Sequence, residues 1–161
     1  FTFEIRRSAE NMSLTVASGE NPDAPGKPYL GISVGELYSA EFDIDFTPSD
    51  VGGPSAGLMF ATGIVDKLTP EDLTGGKHVA GTGTITPEGA VGPIGGIRQK
   101  LAGARSAGAE LFLMPEQHCA ESAGHVPDGL TVTPVTSLRD AIKEMSHWVA
   151  GMPVTSCPKT P

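Results

Sequence analysis

A ten-residue stretch in the first half of the chain limits its fold more than any other. In Ala56-Gly57-Leu58-Met59-Phe60-Ala61-Thr62-Gly63-Ile64-Val65 the apolar side chains fall on every face of a helical wheel, and charge arrives only at Asp66 and Lys67. A helix with no polar face must be surrounded by other elements. The expectation is a buried central helix with the rest of the chain layered around it. Pro54 suits the first turn of that helix, where a missing N–H costs nothing.

The remaining pattern alternates strands with helices. Phe1 to Arg6 and Met12 to Val16 each alternate apolar with polar residues and read as a hairpin turning at Ser8 to Asn11. Gly19-Glu20-Asn21-Pro22-Asp23-Ala24-Pro25-Gly26 is rich in turn formers and reads as a linker. The expected division is therefore 1–27, the end of a preceding domain plus linker, and 28–161, a second domain with a Pro-rich tail. Strands are expected over Tyr29 to Val34, Glu41 to Phe46, Val79 to Thr86, Ala90 to Ile94, Leu111 to Met114 and Val132 to Val135. Helices are expected over Ile97 to Ala107 and, capped by Ser137, Leu138 to Val149. Interleaved strands and helices imply an α+β fold of mixed layers.

Composition excludes several function classes. The net charge is −8, and no basic cluster exceeds Arg6-Arg7, so neither nucleic acid nor an anionic membrane surface is an expected partner. No apolar run approaches the roughly twenty residues that a membrane-spanning helix needs. The chain begins at Phe1, directly in a strand, as a processed or excised piece would. Cys119 and Cys157 are either a disulfide joining the tail to the body or two thiols. A metal site is not expected, because His118 and Cys119 are adjacent rather than spaced as zinc-ligand pairs are.

Two features carry chemistry. Ser55 follows Gly52-Gly53-Pro54 at the start of the apolar helix. A nucleophile there has backbone N–H groups beside it, those of Ser55 and Gly53, to hold an oxyanion; Pro54 has none. The same Ser also suits a helix cap, and the same Gly-rich turn a phosphate. The second feature is Lys100. On the wheel of Ile97 to Ala107, Ile97, Leu101, Ala104 and Ala107 share an arc that includes Lys100, while Arg98 and Arg105 lie opposite. A lysine aimed inward is paired, snorkels to the surface, or is held neutral by a lowered pKa. In the neutral form it can take a proton from a serine hydroxyl.

Gly53-Pro54-Ser55-Ala56-Gly57, then Thr82-Gly83-Thr84-Ile85-Thr86, then Gly92-Pro93-Ile94-Gly95-Gly96-Ile97-Arg98-Gln99-Lys100-Leu101 resembles the Lon protease domain in motif and in order. The resemblance covers roughly residues 28 to 145 and implies the Lon proteolytic fold, thought to be related to that of the homoserine- and mevalonate-type (GHMP) kinases. It places Ser55 on the nucleophile, Lys100 on the general base and Thr82 on the threonine that orients the lysine. It implies a serine endopeptidase acting on polypeptides, with no metal or cofactor, and often a homo-oligomeric ring. Two positions depart from the pattern: Gly52 stands where an Asp is usual, and Thr84 where a Glu is usual.

No Walker-type lysine motif occurs within these residues. The segment Val51 to Phe60 is most similar to the bacterial YlbL-like group, in which a PDZ domain precedes a Lon-type domain behind a membrane anchor. Residues 1–16 would then end a PDZ domain, and the site of action would be extracytoplasmic, which favours the Cys119–Cys157 bridge. His78, His118, His125 and His147 are expected at the surface without a role. The competing readings are a catalytically silent substrate-binding module and a phosphate-binding relative of the GHMP kinases.

Overall fold

The computed structural model describes residues 1–32 and 53–158. The chain separates into two compact units, Phe1–Phe46 and Thr47–Pro161.

In the first unit, β1 (Thr2–Arg7) pairs antiparallel with β2 (Glu10–Thr15), Phe3 opposite Leu14 and Ile5 opposite Met12. The turn is tight, with Ser8 and Ala9 both at positive φ. The stretch expected as a linker is itself a hairpin: β3 (Gly19–Asn21) pairs with β4 (Ala24–Tyr29) across a register irregularity. Its turn formers serve the bend between two strands. Asn21 Oδ1 accepts from Asp23 N at 2.9 Å, and Glu20 Oε1 accepts from Gly26 N at 3.0 Å. Of the strand expected over Tyr29 to Val34, Tyr29 instead ends β4 and Leu30 to Ile32 are irregular; its remainder and the strand expected over Glu41 to Phe46 lie outside the described residues.

The second unit is a mixed α/β structure, as expected. Its spine is a parallel sheet of β5 (Val79–Gly81), β8 (Leu111–Pro115) and β9 (Thr131–Val135), with β8 central. The register sets Val79 opposite Leu111 and Leu111 opposite Thr131. Every residue of β8 is buried, which a central parallel strand covered on both faces requires. Because strand side chains alternate, β8 feeds two cores. Leu111 and Leu113 pack with Leu58, Val91, Val135, Ala141 and Met145. Phe112 and Met114 pack on the other face with Ile97, Leu101, Ala109 and Leu130.

Among the described residues, three helices supply those layers. α1 (Gly57–Leu68) and α4 (Leu138–Val149) contribute to the first core, and α2 (Ile97–Ser106) to the second. α3 (Cys119–Ser122) is one short turn. α4 is capped as expected: Ser137 Oγ accepts from Asp140 N at 3.1 Å. α1 departs from expectation. Only Leu58 and Thr62 are fully buried, while Met59, Phe60, Ile64 and Val65 are half-buried and Gly63 is exposed. The sheet covers one side of a helix, so apolar sequence on every face does not by itself enclose it.

The expected strand over Val79 to Thr86 is two pieces. β5 ends at Gly81, and β6 (Thr84–Ile85) pairs antiparallel with β7 (Val91–Gly92), a shorter strand than the one expected over Ala90 to Ile94. The break at Thr82-Gly83 positions the site. Cys119 and Cys157 are joined in a disulfide that packs against the second core. The tail is held again by buried Glu144, whose carboxylate accepts from Thr155 N and Thr155 Oγ1, both at 2.8 Å.

Candidate active site

Gly53, at φ 81°, turns the chain through a backbone region that other residues seldom adopt. A short 3₁₀ turn, Pro54–Ala56, then leads into α1. Ser55 thus lies in the turn ahead of the helix, whose N-cap is Ala56. Its carbonyl accepts from Gly83 N at 2.8 Å and from Thr82 Oγ1 at 2.9 Å, while Gly83 O accepts from Leu58 N at 3.0 Å. These bonds explain why the strand breaks at Thr82. Thr82 N still bonds Leu113 O at 2.9 Å, but its hydroxyl and the Gly83 amide both turn to the serine carbonyl. Gly83 is also tightly packed: a Cβ there would stand 3.0 Å from Val91 Cγ1 and 3.2 Å from Leu58 Cβ.

Lys100 comes from the first turn of α2, closed by its own amide bonding Gly96 O at 3.2 Å. As the wheel implied, Ile97 and Leu101 are buried and Arg98 and Arg105 exposed, with Lys100 half-buried between. Its Nζ lies 3.1 Å from Ser55 Oγ and 3.2 Å from Thr82 Oγ1. The amine is turned to two hydroxyls rather than lying along the surface. Ser55, Thr82 and Lys100, drawn from three separate elements, therefore form one hydrogen-bonded cluster. Thr82 is 2 % exposed, so its hydroxyl has little access to solvent and depends on these partners.

The other candidates fall elsewhere. Thr84, in β6, is half-buried, and its hydroxyl lies against the backbone of Gly92. Gly52 lies outside the described residues. Among the described residues no group of three or more His, Cys, Asp or Glu is placed to hold a metal ion, and no helix is long and apolar enough to cross a membrane. His78 and His125 are exposed and His147 half-buried, but His118 is buried, against expectation. It accepts the amide of Ile94, on the loop before α2, and so is tied to the segment that carries Lys100. Its polar neighbours Glu116 and Gln117 disguise this position in the sequence. The sole local signal is its place three residues beyond the buried strand's Pro115.

Residues 45–147 match the Lon protease (S16) C-terminal proteolytic domain. The chain belongs to that family. This Lon-type domain is 42% identical over 100 residues to a Lon protease of Azospirillum brasilense, a match covering 60% of the chain and 12% of that relative. Lon proteases of Rhizobium meliloti and of Buchnera aphidicola subsp. Schizaphis graminum are 39% identical over 99 residues and 36% identical over 100. The Lon-type domain thus matches 12% of the length of each of these relatives. Its three clustered residues all lie inside the matched region.

Proposed function

We propose that this Lon-type domain is a serine endopeptidase that hydrolyses peptide bonds of protein substrates with Ser55 as nucleophile and Lys100 as general base. The observation that carries the reading is the 3.1 Å separation of Lys100 Nζ and Ser55 Oγ. That is hydrogen-bonding reach, which proton transfer between a nucleophile and its base requires.

The neutral amine takes the Ser55 proton as Oγ attacks the scissile carbonyl carbon. The carbonyl π electrons move to oxygen, and the resulting oxyanion is held by the N–H groups of Gly53 and Ser55. Each such donor contributes about 3–4 kcal/mol in proteases where one has been removed. Lys100 then gives its proton to the leaving amine, and a water, deprotonated by the same lysine, releases the acyl group. Thr82 accepts from Lys100 and keeps the amine aimed at Oγ. No nucleotide enters this chemistry, so cleavage by the domain is ATP-independent.

Residues 1–27 are read as the end of a preceding PDZ-like domain plus linker, and the site of action as the extracytoplasmic face of a bacterial membrane. A disulfide such as Cys119–Cys157 persists in that setting. The test is cleavage of an unfolded protein, without ATP, by wild type, Ser55→Ala and Lys100→Ala. Folded but inactive variants beside an active wild type are expected. Full activity in Lys100→Ala would remove the lysine from the mechanism.

A further inference from the structure

His118 is the single fully buried residue among the four histidines, at 8 % exposed. It ends the 3₁₀ turn Glu116–His118 that follows β8. Its Nε2 accepts from the backbone N–H of Ile94 at 2.9 Å. An amide N–H has a hydrogen to donate and no lone pair to offer, so Nε2 must be bare. The ring hydrogen then sits on Nδ1, which donates to Glu121 Oε2 at 3.1 Å. Glu121 is tied back to the lysine helix, for its carbonyl accepts from Arg98 Nε at 3.2 Å.

Ile94 stands three residues ahead of α2, with only Gly95 and Gly96 between. Neither glycine has a side chain to pack, and Gly96 sits at φ 72°. The last anchored point before the helix is therefore Ile94, whose side chain packs on the second core and whose amide is held by His118. Lys100 lies in the first turn that follows, so a shift at Ile94 passes directly to the amine facing Ser55.

We propose that His118 is a positioning residue for Lys100, acting through the Ile94 amide with Glu121 fixing its tautomer. The inference rests on the reading of Lys100 as the base. The test compares the full chain with His118→Leu, His118→Gln and Glu121→Ala. Leucine fills the space without an acceptor, glutamine restores an acceptor oxygen at similar reach, and Glu121→Ala perturbs only a partly exposed carboxylate, so it folds even if His118→Leu does not.

Two readouts are taken: amide hydrogen exchange of residues 92–98, which needs no activity, and kcat and KM for an unfolded protein. Faster exchange in His118→Leu is expected, with kcat lowered on the order of tenfold, as a small misplacement of a catalytic group produces, and KM within about twofold. Glu121→Ala should move both readouts in the same direction by less, and His118→Gln should recover most of the loss. Unchanged exchange in both His118→Leu and Glu121→Ala overturns the proposal, as does glutamine no better than leucine. Faster exchange with unaltered kcat overturns the link to Lys100. If wild type itself does not cut, the dyad assignment fails, and exchange alone decides whether His118 holds the loop.

Discussion

Lys100 Nζ stands 3.1 Å from Ser55 Oγ although 45 residues separate the two in the chain. The contact joins the first turn of α2 to the turn ahead of α1, and it puts a titratable amine on the hydroxyl proposed to attack substrate. A base of this kind must lose its proton before it works. Lys100→Arg keeps length and charge but cannot deprotonate, and should lose about 10²–10⁴-fold in kcat. Retained activity in that variant would show that the positive charge, not proton transfer, is what matters.

Thr82 holds both ends of this contact, donating to the Ser55 carbonyl at 2.9 Å and accepting from Lys100 at 3.2 Å. Thr82→Val preserves shape and removes the hydroxyl. Ser55 O keeps its bond from Gly83 N, so the stability loss should stay at about 1–3 kcal/mol. The fall in kcat should be larger in proportion, on the order of ten- to a hundredfold, because the amine loses its aim. Thr82→Ser should recover most of it. Urea melts beside steady-state kinetics on the three proteins separate the two effects.

The Cys119–Cys157 bridge closes a sequence separation of 38 residues. Loop-closure entropy of that size makes the double Cys→Ser variant less stable by about 2–4 kcal/mol. Glu144 still grips Thr155, so the tail should remain docked in the native state. A urea midpoint unchanged by the double substitution would mean that the bridge adds nothing beyond this second clasp.

Asp140 provides a pH-dependent element. Hydrogen bonding from the Thr136 hydroxyl, then from backbone and Ser137 groups, holds its carboxyl below the ordinary value of 3.8. A depressed carboxyl contributes stability that is fully present above its unfolded pKa and is lost as pH falls through the folded one. Asp140→Asn should therefore lower the melting temperature slightly at neutral pH, and the gap from wild type should close only on acidification below about pH 4. A gap that stays constant down to strong acid would assign the loss to shape rather than charge.

Much of the second unit was legible because its signals are local. α4 begins at its Ser137 cap and shows its amphipathic period. α2 shows an apolar arc with Lys100 inside it, and Leu111 to Met114 reads as a buried strand whatever lies around it. Ser55 and Lys100 are legible from the helix start and the helical wheel, and Thr82 only from the resemblance. The break at Thr82-Gly83 was not legible, because the residues look like a continuous strand until the Ser55 carbonyl takes the Gly83 amide. Nor was the hairpin at residues 19–29, whose turn formers look the same in a linker.

Side-chain periodicity and capping chemistry, which need only near neighbours in the chain, determined the element types and the mixed α+β class. Tertiary structure alone decided which polar groups meet: Lys100 with Ser55, His118 with Ile94, Glu144 with Thr155. Hydrogen bonds between residues far apart in the chain leave no periodic trace. They form because burial removes water as the alternative partner, and burial is a property of the packed layers rather than of any one segment.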